Sequence, residues 1–515
     1  MKSFILRHLL ILFLIIPTKA LADSSDSEIL TSEKISQIQE KIKDEAIQSF
    51  RSLLTLPNDA NKPDDILALL DWLEPEFAAS GFVTKRIKTK GSPILYAEQK
   101  VINAKGTVLI YLQADGQPVD PSAWHQENPY KPSLKVDTGN NNWEEVQWSA
   151  LKAGLNSDFR IFSRSASDSK GPIAQFIYGI RALNSYGWQR DFNLKVLVDT
   201  EEELGSPNLA KAVLENKSLL ASDMLMVFDG PPHISNLPTL NFGARGVMTL
   251  SLKVYGPKKP QHSGHMGNFV PNPAFKLSTL LASMKTLDGK VLIDGFYDGV
   301  VISTELKKQL AKIPDDLDKL KLDMGFAEPE HVAGSLQESI QYPSLNIRGL
   351  SSAWTGKQVR TIIPDSAVAE IDIRLVETSK PEALISSIKK HIEAEGFYIT
   401  SGEPSKAERS KYPHIVELNH QLGYKAFRTD FDSHIGVMLR KALVRLNGTP
   451  PLLISTLGGS VPISPLVNIL DIPAVLVPTV NMDNNQHSPN ENIRLDSFLN
   501  GLEVVLAVFS EPFPN

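Results

Sequence analysis

Cysteine is missing altogether from the 515 residues. Its absence excludes disulfides, a lipid-anchored cysteine, thiolate metal ligands and a thiol nucleophile. Any metal site in this chain must therefore be built from His, Asp, Glu or an amide side chain. Basic excess is missing too, with 53 Lys and Arg against 59 Asp and Glu and a formal net charge of −6. Phosphate binding needs a basic surface, so nucleic acid is excluded as the main partner. Internal repeats and low-complexity tracts are absent, and the composition, 42% hydrophobic and 22% charged, is that of an ordinary globular protein.

Unbroken apolar sequence is confined to the N-terminus. Lys2 and Arg7 flank a short first segment, Leu9 to Ile16 is wholly apolar, and Ala20-Leu21-Ala22 gives a small-x-small pattern before Asp23. This reads as a secretory signal peptide over residues 1–22, with an apolar core too short to span a bilayer. Its three cations, Lys2, Arg7 and Lys19, leave with it and make the rest more acidic still. The expectation is an exported protein, periplasmic or secreted, with no membrane contact after cleavage.

A chain of this length predicts two domains, with a large buried core. Helical periodicity covers residues 32–54 and 64–79. Apolar runs of strand length then alternate with helical stretches: strands at 107–112, 194–198, 223–228 and 473–478, and a helix at 172–184 with Pro172 suited to its first turn. That alternation predicts a mostly parallel α/β sheet. The middle of the chain differs. Residues 246–255 alternate like a half-exposed strand, 273–287 are helical, 342–350 and 367–376 read as strands, and 380–394 as a helix. The order β, α, β, β, α predicts a ferredoxin-like α+β domain inserted into the first, with 290–340 as an extra charged, mostly helical stretch. The boundaries read as 23–242 and 406–515 for the two parts of the outer domain and 243–405 for the insert.

The chemistry-bearing residues follow the strand ends. Gln113 and Asp115 follow the first strand, Glu201, Glu202 and Glu203 the second, Asp229 the third and His487 the fourth. Ligands of open α/β sheets bind outside the carboxyl ends of the strands. Asp168, just before the 172–184 helix, reaches the same edge. Singly each residue has an ordinary explanation: Asp229 in Asp229-Gly-Pro-Pro a turn cap, the three glutamates a helix N-terminus favouring negative charge, His487 a loop histidine without duty. Their convergence on one edge is what points to a site.

The same segments resemble, in order, the motifs of the co-catalytic metallopeptidases that include glutamate carboxypeptidase, carnosinase-type dipeptidases and succinyl-diaminopimelate desuccinylase. Gln113-Ala-Asp115 resembles the His-x-Asp motif, Ser165-Ala-Ser-Asp168-Ser-Lys-Gly171 the second motif, and Glu202-Glu203-Leu-Gly-Ser206 the Glu-Glu-x-Gly-Ser motif. His262-Ser-Gly264 followed by Asn272-Pro273 resembles the lid signature. Gly458-Gly459-Ser460-Val-Pro462 resembles the substrate-carboxylate loop, and His487-Ser-Pro-Asn-Glu491 the terminal His motif. The resemblance covers nearly the whole chain after residue 22. It implies a zinc-peptidase catalytic domain with a lid that also dimerises, and cleavage of an amide bond in a dipeptide, small peptide or N-acyl amino acid. In its terms Asp168 bridges two metal ions, Glu203 and His487 complete one site, and Asp229 with residue 113 the other. Glu202 is the general acid/base, Asp115 orients the ligand at 113, and His262, often supplied by a partner subunit, stabilises the oxyanion. Arg374 and the Gly459-Ser460 loop contact substrate. Gly205-Ser206 fixes the register of the triple glutamate, which leaves Glu201 solvated. Oxygen and nitrogen donors without sulfur suit zinc, with manganese or cobalt as alternatives.

Position 113 departs from the pattern, since a glutamine stands where the family has histidine. Three readings stay open. The Gln113 oxygen binds a metal while its NH2 donates to Asp115; or one metal is lost, leaving a single ion on Asp168, Glu203 and His487; or the chain is an exported peptide- or amino-acid-binding protein with a degenerate site. Retention of Glu202 speaks against the last, because a binding protein needs no general base. His125 and His233 lie near the motifs and are read as bystanders.

Overall fold

The computed structural model describes residues 29–154, 156 and 158–514. The leader expected at 1–22 lies outside them. Among the described residues no helix is long and apolar enough to cross a membrane.

An eight-stranded sheet forms the outer domain, in the order Val83–Ile87, Ile94–Gln99, Asn193–Asp199, Thr107–Gln113, Met224–Val227, Ala474–Leu476, Thr239–Asn241, Leu452–Ile454. The four central strands, from Asn193–Asp199 to Ala474–Leu476, run parallel. Ile94–Gln99 joins them antiparallel on one flank and Thr239–Asn241 on the other, so the sheet is mixed, with parallel pairings in the majority as expected. Strands such as Thr107–Gln113 are buried along nearly their whole length, as expected where both faces are covered. Helices Ser32–Leu54, Lys170–Ser185, His434–Asn447 and Leu495–Phe509 cover one face, with Phe50, Phe176, Phe228 and Phe509 in a single core. Helices Leu209–Glu215 and Ser464–Leu470 cover the other.

The insert carries a five-stranded sheet ordered Ser344–Ser351, Ser366–Leu375, Gly246–Tyr255, Ile415–Tyr424, Tyr398–Thr400. Strand Gly246–Tyr255 buries alternate side chains, Met248, Leu250, Leu252 and Val254, beneath helices Pro273–Met284 and Pro381–Ala394. Strand Ile415–Tyr424 pairs with Gly246–Tyr255 along its length, so this sheet runs past the expected boundary at 405. The strand is mostly exposed and polar from Glu417 to Gln421, which hid it from periodicity. The 290–340 stretch is helical only in three short pieces, Thr304–Leu310, Leu317–Met324 and Leu336–Ser339, each begun by a side-chain cap from Ser303, Asp316 or Ser335.

One further sheet was not anticipated. Asn492–Arg494, Phe159–Phe162, Ser133–Asp137 and Trp143–Val146 form four antiparallel strands. Its pairing of Ile493 with Ile161 sets the loop before residue 492 beside the loop after residue 162, and these two loops carry His487 and Asp168.

Candidate metal centre

The central strands end together, and the residues just past them meet. His487 Nε2 lies 3.0 Å from Asp168 Oδ2 and 3.3 Å from Glu203 Oε2. These three residues are the one group among those described whose ligand atoms are mutually close enough to hold a metal ion. The Asp168 and Glu203 side chains are buried while the His487 ring is half-exposed, so the cluster opens to solvent on the imidazole side. Asp229 stands outside the tight group, reached through Ser169, whose hydroxyl lies 3.5 Å from Asp229 Oδ1 and donates to Asp168 Oδ1 at 3.0 Å.

Crowding of acids in a desolvated place disfavours their charged forms. Burial, with the charges of Asp229, Asp168, Glu203 and Asp115, holds Glu202 well above the usual carboxylate range. Burial and Asp168 push Glu203 up to about 8 and Asp229 to about 7. The imidazole answers in the opposite sense: its hydrogen bond to Asp168 raises His487 to about 9. Such a cluster is uncomfortable without a cation, and its hard oxygen and imidazole donors suit a divalent one.

Gln113 is buried, and its Nε2 donates to Asp168 Oδ1 at 2.6 Å. Its Oε1, also buried, has no hydrogen-bond partner. The expected bond from Gln113 to Asp115 is not made. Asp115 instead accepts from the backbone N–H of Glu202 at 3.0 Å and of Glu203 at 2.9 Å, fixing the turn that presents both glutamates. That turn is closed by Gly205 at a φ of 78°, a left-handed conformation that glycine adopts without strain. Ser206 donates to Asp199 at the end of the strand.

Glu201 also departs from expectation. It is buried, not solvated, and accepts from Ser92 N at 3.0 Å and Asn208 Nδ2 at 2.6 Å. His262 is exposed and caps its own turn, accepting from Gly264 N at 3.0 Å. It sits on a two-residue strand paired with Ile362–Ile363, and among the described contacts none joins it to the acidic cluster. His233 is engaged elsewhere, with Nε2 2.9 Å from Asp315 Oδ1. The backbone N–H of His125 donates to Asn490.

On the lid side, Arg374 Nη1 donates to Ser460 Oγ at 2.8 Å, joining the two elements expected to meet substrate. Gly459 beside Ser460 is exposed. Val247 is paired with Arg374 on one side and Tyr424 on the other, so both side chains share one face of the lid sheet.

Glu491, the last residue of the His487 motif, organises the site from beneath. Its carboxylate, 1% exposed, accepts from Ser167 N at 3.0 Å and Asp168 N at 2.9 Å through Oε1. Through Oε2 it accepts from Ser165 N at 2.9 Å and Arg164 Nη1 at 2.8 Å. Asn58 braces the neighbouring loops, donating to Ala114 O at 2.8 Å and Ser165 Oγ at 2.9 Å and accepting at its own carbonyl from Gly116 N. Nothing in the local sequence at Asn58 signals this.

Residues 242–398 match the family model of a peptidase dimerisation domain. A metallo-carboxypeptidase from Sulfolobus solfataricus is superposable with a TM-score of 0.74 at 27% identity, covering 90% of this chain and 98% of that one. The chain is thus similar, over most of its length, to a metallo-carboxypeptidase, and its insert to a peptidase dimerisation domain. Among curated relatives, human Beta-Ala-His dipeptidase is 26% identical over 428 residues, 81% of this chain and 77% of its own length. A Cys-Gly metallodipeptidase of Schizosaccharomyces pombe is 25% identical over 497 residues, 92% of this chain and 97% of its own. These relatives overturn the expectation of an exported, periplasmic protein, since the yeast Cys-Gly metallodipeptidases are cytosolic enzymes.

Proposed function

We propose that the protein is a metal-dependent dipeptidase whose reacting centre is Asp168, Glu203 and His487 with Glu202 beside them. The observation that carries this reading is the convergence of those three ligand atoms, with the Glu202 carboxylate close enough to feel the charges of Asp168 and Glu203. The relatives named as dipeptidases support the substrate class.

Asp168, Glu203 and His487 would hold a divalent ion, zinc first and manganese or cobalt as alternatives, with Asp229 and Gln113 flanking any second ion. When bound, the ion supplies Lewis acidity toward a carbonyl oxygen and lowers the pKa of water. Glu202 takes the proton from the attacking water and returns it to the leaving amine, a role that suits a carboxylate whose affinity for protons is raised. Asp115 keeps Glu202 and Glu203 in place through their backbone amides. Arg374 and Ser460, with the exposed Gly459, anchor the free carboxylate of the substrate, so the scissile bond lies next to a C-terminal residue. His262 reaches a reacting centre from the lid of a partner subunit, which makes the working form a homodimer, with 243–405 and the strand that follows as the lid.

The test is turnover of a panel containing β-Ala-His, Cys-Gly and N-acetyl amino acids by zinc-loaded protein. Hydrolysis of dipeptides, abolished by a chelator and by Glu202→Gln, is expected. Preference for the N-acyl substrates would replace dipeptidase by deacylase. No turnover with metal bound would sink the hydrolytic reading.

A further inference from the structure

Resting on that metal-site reading, we infer that this chain holds a single ion, on Asp168, Glu203 and His487, and that the Gln113 amide fills the second position in place of a cation.

The two oxygens of Asp168 are used differently. Oδ2 faces His487 at 3.0 Å, on the side where Glu203 also converges. Oδ1 faces the other way and already accepts twice, from Gln113 Nε2 at 2.6 Å and from Ser169 Oγ at 3.0 Å. The first of these is a charge-assisted bond, the stronger class. An ion shared through Oδ1 must displace or turn the amide and forfeit that bond.

The return for doing so is small. A second ion would be held by Asp229, which lies outside the tight group, and by Gln113 Oε1. A neutral amide oxygen is a weaker donor to zinc than imidazole. The donor N–H of Gln113, by contrast, places partial positive charge against Asp168 where the second cation would be. Gln113 is thus a positioning residue that orients the Asp168 carboxylate toward the ion at His487. Its orphaned Oε1 is the cost of facing the carboxylate with its nitrogen.

Elemental analysis and calorimetric titration of metal-free protein with zinc alone test this, with cobalt absorbance as a second readout. One equivalent is expected for the native chain, with the cobalt spectrum saturating at the same point. Gln113→His restores an imidazole and is expected to raise the capacity from one equivalent to two. Two equivalents in the native chain would overturn the inference while leaving the hydrolase reading intact. Gln113→His saturating at one would overturn the assignment of position 113 to the second position. No zinc bound at all would overturn the metal-site reading beneath both.

Discussion

Glu491 offers the sharpest test of how the centre is built. It is replaced by glutamine, which keeps the shape and removes the charge. In the native chain one carboxylate oxygen takes two backbone N–H groups and the other takes a backbone N–H and the Arg164 guanidinium. Glutamine has one acceptor oxygen. Whichever pair it serves, its NH2 is aimed at donors on the other side. The buried guanidinium, its side chain 3% exposed, loses its counter-ion as well. Breaking a buried ion pair from one side costs about 3–5 kcal/mol. We expect Glu491→Gln to lose stability of that order in urea denaturation of metal-free protein. Zinc affinity should fall too, because Asp168 N is among the amides released. Glu491→Asp, which keeps the charge, should recover part of both. A stability loss below about 1 kcal/mol, or unchanged zinc affinity, would refute the claim that this carboxylate sets the Asp168 loop.

Further outcomes are expected. Glu202→Gln should lower kcat by about 10²–10⁴-fold with metal content unchanged, as measured by steady-state kinetics and elemental analysis. Arg374→Ala should raise KM by about 10- to 100-fold for dipeptides with a free carboxylate and much less for C-terminal amides. Glu203 and Asp229, raised to about 8 and about 7 from 4.5 and 3.8, hold protons more tightly folded than unfolded. The metal-free fold therefore loses stability as pH rises from those lower values through about 8. His487, raised to about 9 from 6.5, contributes stability that is complete below 6.5 and is lost as pH climbs through about 9. Both effects have the same sign, so the Tm of metal-free protein should fall on alkalinisation. The Tm gained by adding zinc should be larger near pH 8 than near pH 6, roughly in step with proton release from the ligands. Equal gains at the two pH values would refute it.

The sequence by itself determined the element plan and the edge on which the site lies. Helix Ser32–Leu54 and strand Gly246–Tyr255 are legible because each buries its own periodic face, a property of the local chain. The acids and His487 follow central strands, so the carboxyl edge was legible too. Tertiary structure alone decided who holds whom. Gln113 turns to Asp168 rather than Asp115, and Asp115 to the glutamate amides, because those partners come from different strands. Glu201 is buried because Ser92 and Asn208 close over it. Glu491 lies under Asp168 because Ile493 pairs with Ile161 across most of the chain. Periodicity records whether a residue is buried; strand pairing, set by contacts distant in sequence, records against what.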